Sequence, residues 1–335
     1  MNFLRKLLFP FAILYGCITG FRNFLYDKGI FKSYSFAIPV IAVGNLSVGG
    51  TGKTPQIEYL IRLLSDKYKV STLSRGYKRK SVGFVLADEN ATAEILGDEP
   101  FQFYKKFPNI QVAVDANRKN GIEQLLLQKN KPDIILLDDA FQHRRVKAGF
   151  YILLTTYNDL FTNDFIVPTG NLRESRVGSK RADVIVVTKS PNTLSDSEQI
   201  RIKKELKLKN NQQLYFSAIE YDNFVINNEK EIELSQIKDS DKLILAGIAK
   251  PESFFEYLKK DNDIVMKFPD HHNFTENDII DIKNKSKDKI IITTEKDYVR
   301  LVDKLNSKAL YYLPIKSTFI TKGNYFDKTV LSYVV

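Results

Sequence analysis

The chain has 335 residues, 43% of them apolar and 12% aromatic. That is too much core material for a disordered protein and, at about 150 residues per domain, enough for two domains. A single cysteine, Cys17, excludes an internal disulfide and a cysteine-rich metal site and points to a reducing compartment. The net charge of +10 draws the chain toward polyanions, whether nucleic acid, an anionic bilayer or a phosphorylated substrate, without choosing among them.

In chain order, Leu7 to Phe21 carries no charge and lies between Arg5 and Lys6 on one side and Arg22 and Lys28 on the other. The stretch is shorter than the roughly 20 residues that cross a bilayer, and Pro10 disturbs a helix at its start. Residues 1–30 are therefore expected to form a membrane-associated helix lying in the interface. A buried core helix is the plain alternative. A lipoprotein-type leader ending at Leu14-Tyr15-Gly16-Cys17 is another, but it would carry the nucleotide loop that follows away from cytosolic nucleotide.

Short apolar runs then alternate with amphipathic stretches, the pattern of β-α-β units around a parallel sheet. Strands are predicted at 38–43, 69–73, 110–114, 134–137, 151–154 and 184–187, and helices at 56–68 and 118–129. Composition turns polar past Ser195, and 203–213 reads as a solvated helix or connector, so a first domain is placed at 31–205 and a smaller α/β domain at 206–335. The smaller domain has strands at 243–246 and 289–293 and a helix through Phe254, Phe255 and Leu258. The expected fold is α/β: a P-loop NTPase-like, mostly parallel sheet with helices on both faces, plus the smaller domain and the N-terminal helix.

The run Ser47-Val48-Gly49-Gly50-Thr51-Gly52-Lys53-Thr54 sits between a β-branched strand and an amphipathic helix and reads as a phosphate-binding loop. Backbone N–H groups of Gly49, Gly50, Thr51 and Gly52 would cradle phosphate oxygens, Lys53 would reach the β- and γ-phosphates, and the Thr54 hydroxyl would ligate Mg²⁺. Ser47 stands where the general pattern has glycine. The acidic partner such a loop needs is supplied by Asp138 and Asp139, which follow the buried run 134–137, unless the pair merely caps a strand. Thr188-Lys189-Ser190-Pro191 begins like a guanine-reading signature but has Pro191 in place of the base-reading Asp, so ATP is the expected nucleotide.

These blocks resemble a known family. Val43 to Pro55, Leu73-Ser74-Arg75-Gly76-Tyr77, Gly97-Asp98-Glu99-Pro100, Asp138 to Arg144, Gly170-Asn171-Leu172-Arg173-Glu174, Asp270-His271-His272 and Thr294-Glu295-Lys296-Asp297 occur in the order found in tetraacyldisaccharide 4′-kinases, over roughly residues 1–300. The resemblance implies transfer of the ATP γ-phosphoryl group, with Mg²⁺, to the 4′-hydroxyl of an acylated glucosamine disaccharide 1-phosphate in lipid A synthesis. It places the reaction on the cytoplasmic face of the inner membrane, where the protein is expected to lie peripherally or monotopically; a monomer with no nucleic-acid partner is expected. It further implies that Asp98 pairs with His271 of the second domain to activate the hydroxyl, and that Arg173 and Glu174 lie near the transferring phosphate. Arg75, Gln142, Glu174 and His272 are expected at the lipid substrate. By residue type alone, Asp98 could equally cap a helix, His271 and His272 could be loop residues or a metal pair, and Arg173 and Glu174 a surface ion pair. The basic run Arg75, Lys78, Arg79 and Lys80 could receive the 1-phosphate or headgroups, or simply be solvated. A P-loop GTPase or a nucleic-acid-dependent ATPase are the other readings of the same loop and charge.

Overall fold

The computed structural model describes residue 5 and residues 7–287 and 289–335. The first helix, α1 (Phe9–Asp27), takes Pro10 into its first turn, where a missing N–H costs no bond, and buries only Ala12. Phe11, Leu14, Ile18 and Phe21 are exposed, so this is not a core helix. No helix among the described residues is long and apolar enough to cross a membrane.

Then come β1 (Val40–Asn45), α2 (Lys53–Leu64), β2 (Val70–Ser74), β3 (Val85–Leu86), α3 (Asp98–Lys106), β4 (Gln111–Val114), α4 (Arg118–Leu126), β5 (Ile134–Asp138), β6 (Phe150–Thr156), β7 (Val184–Thr188), α5 (Asp196–Leu206) and β8 (Gln213–Tyr221). All six strands predicted in this half are present within two residues at each end. They were legible because β1, β2, β5 and β7 are buried along their whole length, as strands covered by helices on both faces must be. The chain continues through β9 (Phe224–Ile226), β10 (Glu231–Glu233), β11 (Lys242–Ala246), α6 (Glu252–Leu258), β12 (Ile264–Lys267), α7 (Glu276–Ser286), β13 (Ile290–Thr294), α8 (Glu295–Leu305), β14 (Leu310–Leu313), β15 (Ile315–Phe319) and α9 (Gly323–Val334).

Among the described residues one sheet has nine strands in the order β15-β8-β7-β6-β1-β5-β2-β4-β3, and a second has six in the order β10-β9-β14-β13-β11-β12. In the larger sheet only the edge strands β15 and β3 run antiparallel to their neighbours. The sheets do not part at 205/206. β8 pairs in parallel with β7, β15 pairs with β8, and α9 drives Phe326 and Val330 into the core beside Ile57 and Leu60 of α2. The smaller sheet is thus an insertion between β8 and β15. The polar stretch at 203–213 is the solvated end of α5 and a short loop, and the buried run Tyr215–Ala218 that follows finds its backbone partners on the edge of the first sheet.

β1 lies between β5 and β6, so the chain leaves it to one side for β2 and later returns to the other side at β6. In open α/β sheets ligands bind outside the carboxyl ends of the strands at such a switch point. The phosphate loop, Arg75, Asp138 and Lys189 all follow carboxyl ends here.

Candidate active site

The loop after β1 has Gly49 at φ 108° and Gly52 at φ 82°, a backbone that side chains rarely tolerate, and Gly52 opens α2 so that free N–H groups face the loop. The loop is held on both sides. Asn45 Nδ2 donates to Thr51 Oγ1 at 2.8 Å, Thr188 Oγ1 donates to the Thr51 carbonyl at 2.8 Å, and Val48 N donates to the Asn171 carbonyl at 2.7 Å. Thr54 stands in the first turn of α2. Lys189, part of the signature that Pro191 breaks, directs its Nζ to within 4.0 Å of where a Cβ on Gly50 would lie.

The two acidic residues after β5 have different surroundings. Asp139, at φ 47°, accepts from Arg173 Nη1 at 2.8 and 2.9 Å and lies 3.6 Å from Lys53 Nζ. Burial raises its carboxyl, but Lys53 and Arg173 outweigh that and hold it below the usual range. The Asp138 carboxylate is buried, with the Ser74 hydroxyl at 3.4 Å as its one side-chain hydrogen bond among the described residues. Burial and the neighbouring Asp139 push it up to about 6, with Glu99 adding to the rise. A buried carboxylate with so few hydrogen-bond donors, at the end of the strand beside β1, fits a hard oxygen-seeking cation such as magnesium. Sequence reasoning missed Arg118, which is 2% exposed and donates to the carbonyls of Asp115 at 2.5 Å and Asp138 at 3.1 Å, fixing the end of β5.

Asp98 opens α3, and His271, in the left-handed region at φ 55°, follows β12. The structure brings them together from the two sheets, with His271 Nδ1 3.6 Å from Asp98 Oδ2. Between them stands Arg300 of α8, which no sequence pattern singled out. Burial pushes the Asp98 carboxyl up, but the Arg300 guanidinium, with His271 beside it, outweighs that and holds it at about 2.

The other expected substrate residues have partners away from Asp98. His272 turns away from Asp98, bonding Asp278 at 2.9 Å and stacking on Phe268. Glu174 is 3% exposed and fully engaged, accepting from Asn23 Nδ2 at 2.7 Å, Gln142 Nε2 at 3.0 Å and Arg181 Nη2 at 2.7 Å. With Tyr15 donating to the Arg173 carbonyl at 3.1 Å and Arg22 to the Gln142 carbonyl at 3.1 Å, this network ties α1 to the loops that carry Arg173 and Asp139. Arg75 is exposed on a loop whose Tyr77 ring meets His271 edge-on at 5.8 Å.

The block 294–297 anchors one sheet to the other. Lys296 pairs with Glu99 at 2.6 Å, and Lys106 of α3 bridges Glu58 of α2 at 2.8 Å and Glu295 at 2.9 Å. Burial and the charge of Glu58 push the Glu295 carboxyl up to about 7 in spite of Lys106. The folded state therefore keeps this proton to higher pH than the unfolded chain does, so its contribution to stability is present in acid and lost as pH rises through about 7. Glu295→Gln is expected to flatten the fall in Tm between about pH 4.5 and 7. Melting curves with an unchanged pH slope would contradict this reading of the cluster.

A family model described as tetraacyldisaccharide-1-P 4′-kinase matches residues 4–334. The chain belongs to this family of kinases. The tetraacyldisaccharide 4′-kinase of Flavobacterium psychrophilum is 66% identical over 336 residues, spanning 100% of this chain and 98% of that protein. The one from Bacteroides thetaiotaomicron is 44% identical across 99% of this chain and 93% of its own length. Among solved structures, LpxK from Aquifex aeolicus in complex with ATP superposes with a TM-score of 0.80 at 31% identity, covering 99% of this chain and all of that one. The seven ordered blocks thus identified the tetraacyldisaccharide 4′-kinase family correctly, and the α/β fold with its phosphate loop is the family's.

Proposed function

We propose that the chain transfers the γ-phosphoryl group of ATP to the 4′-hydroxyl of an acylated glucosamine disaccharide 1-phosphate, at the cytoplasmic face of the inner membrane, with Asp98 accepting the hydroxyl proton. The observation that carries this reading is the convergence on one mouth of a phosphate loop, the under-bonded Asp138 and the Asp98–His271 cluster, with Glu99 close enough to bear on Asp138. The loop N–H groups and the α2 N-terminus hold the triphosphate. Lys53 and Arg173, both beside Asp139, offset the charge that grows on the γ-phosphoryl group. Thr54 and Asp138 would hold magnesium, which when bound supplies positive charge to the β- and γ-phosphate oxygens, and Asp139 orients Lys53 and Arg173. As the bond from the 4′-oxygen to phosphorus forms and the bond to the β-phosphate oxygen breaks, ADP leaves and the hydroxyl proton passes to Asp98.

The two sheets act as two domains closing around the sugar, since Asp98 and His271 come from different ones. Arg75 and the basic loop after it take the lipid's own phosphate or neighbouring headgroups, while Gln142 and Glu174 act by holding α1 in place. The exposed face of α1, with Phe11, Leu14, Ile18 and Phe21, enters the membrane interface, so that the acyl chains stay in the bilayer while the sugar reaches the mouth.

The test is incubation with ATP, Mg²⁺ and the disaccharide 1-phosphate lipid in vesicles, with mass detection of the product. One added phosphate at the 4′ position is expected, and no transfer, or transfer to another hydroxyl, would overturn the assignment. In the same assay Phe11→Asp combined with Leu14→Asp is expected to float free of vesicles and to lose activity on vesicle-borne lipid, while detergent-dispersed lipid is still phosphorylated. Flotation like the parent's would remove α1 as the membrane contact.

A further inference from the structure

Arg300 is rooted in the smaller sheet and reaches into the larger one. Its side chain is 11% exposed. Nη1 lies 3.4 Å from Asp297 Oδ1, and the other oxygen of Asp297 accepts from Gly247 N at 2.8 Å and from the Thr294 hydroxyl at 2.6 Å. On the far side Nε donates to Asp98 Oδ2 at 2.9 Å, and Nη2 reaches the same oxygen. Nη2 also lies 2.9 Å from His271 Nδ1.

Two consequences follow from donor chemistry. A guanidinium has only donors, so Nδ1 of His271 accepts and its ring proton sits on Nε2. At 3.6 Å the direct contact from Nδ1 to Asp98 is too long for a hydrogen bond, so the guanidinium is what links the two. Both bonds from Arg300 fall on Oδ2 of Asp98, and Oδ1 makes no hydrogen bond among the described residues.

We propose that Arg300 is a positioning residue for phosphoryl transfer: it joins Asp98 to His271 across the two sheets, fixes His271 as the neutral Nε2–H tautomer, and engages Oδ2 so that Oδ1 of Asp98 faces the acceptor hydroxyl. This rests on the reading of Asp98 as the proton acceptor. The charged and titratable groups that bear on Asp98 are His271 and Arg300, with Glu99 beside it and Lys296 and Asp297 on α8. Loss of Arg300 removes the guanidinium whose hydrogen bonds and charge hold Asp98 low, so the acidic limb that Asp98 sets moves to higher pH.

The chain has three histidines, which makes imidazole nitrogen NMR assignable. In the parent, His271 is expected to carry its proton on Nε2 near neutral pH, and Arg300→Met should alter the Nδ1 signal. Arg300→Met should lower kcat about 10- to 100-fold, with the KM for ATP changed by less than about threefold, and should shift the acidic limb upward. Arg300→Lys, which restores one donor, should recover part of the loss. A folded Arg300→Met with parental kcat and an unmoved acidic limb would overturn the proposal, and so would a proton on Nδ1 in the parent. If Arg300→Met does not melt cooperatively, the parent spectrum decides alone. Asp98→Asn separates the two claims. Full activity there removes the proton-acceptor reading itself, whereas an inactive Asp98→Asn beside a normal Arg300→Met overturns only the role of Arg300.

Discussion

Lys53→Ala is expected to lower turnover on the order of 10²- to 10³-fold while the protein stays folded. The lysine lies 3.6 Å from Asp139 at the start of α2, and its side chain is 18% exposed, so no core packing depends on it. Its removal leaves Asp139 with Arg173 alone and takes one positive charge from the place where the γ-phosphoryl group would sit. Binding of ATP should weaken less than kcat falls, because the loop N–H groups and the α2 N-terminus remain. A thermal melt close to the parent's beside a parental rate would take the phosphate loop out of the mechanism.

The second large effect is expected at Asp98. Asp98→Ala should lower kcat about 10²- to 10⁴-fold, the range for loss of a positioned proton acceptor, and should leave ATP binding nearly intact because, among the described residues, it bonds Arg300 and not the phosphate loop. His271→Ala should also lose activity, since its imidazole is bonded to the same guanidinium as Asp98. His272→Ala should do much less to chemistry: His272 pairs with Asp278 at the start of α7 and stacks on Phe268, inside its own sheet. The rates of the three variants measured side by side check the assignment, because loss of His272 should cost far less than loss of Asp98 or of His271.

What the sequence made legible was local. The strands of the larger sheet are short apolar runs bounded by turn residues, and the phosphate loop announces itself through Gly49, Gly52, Lys53 and Thr54 between a strand and a helix. Sheet membership was not legible, because β8 and β15 pair with each other across the whole inserted sheet and a two-residue period says nothing about such distant partners. Arg300 and Lys106 were hidden for a related reason. On a helix full of charge an Arg or Lys reads as solvated, and only the approach of α3 to α8 converts these into contacts between the two sheets. One signal was present, the pair Asp297 and Arg300 three residues apart on α8, next to a block already singled out. The nearness of Asp98 to His271 came from resemblance, not from spacing. Glu174 and Gln142, expected at the substrate, are found bonded to each other and to α1, and a motif marks that a residue matters without saying whether it touches the ligand or holds a helix.

The joint action of Asp98 and His271 is tested most directly by a double-variant cycle on kcat/KM, using Asp98→Ala, His271→Ala and the two together. If the residues form one proton-accepting unit bridged by Arg300, the double variant is little worse than the poorer single one, because a broken unit loses little more when its second member goes. Losses in activation free energy that add fully, or a silent His271→Ala beside an inactive His272→Ala, would contradict it.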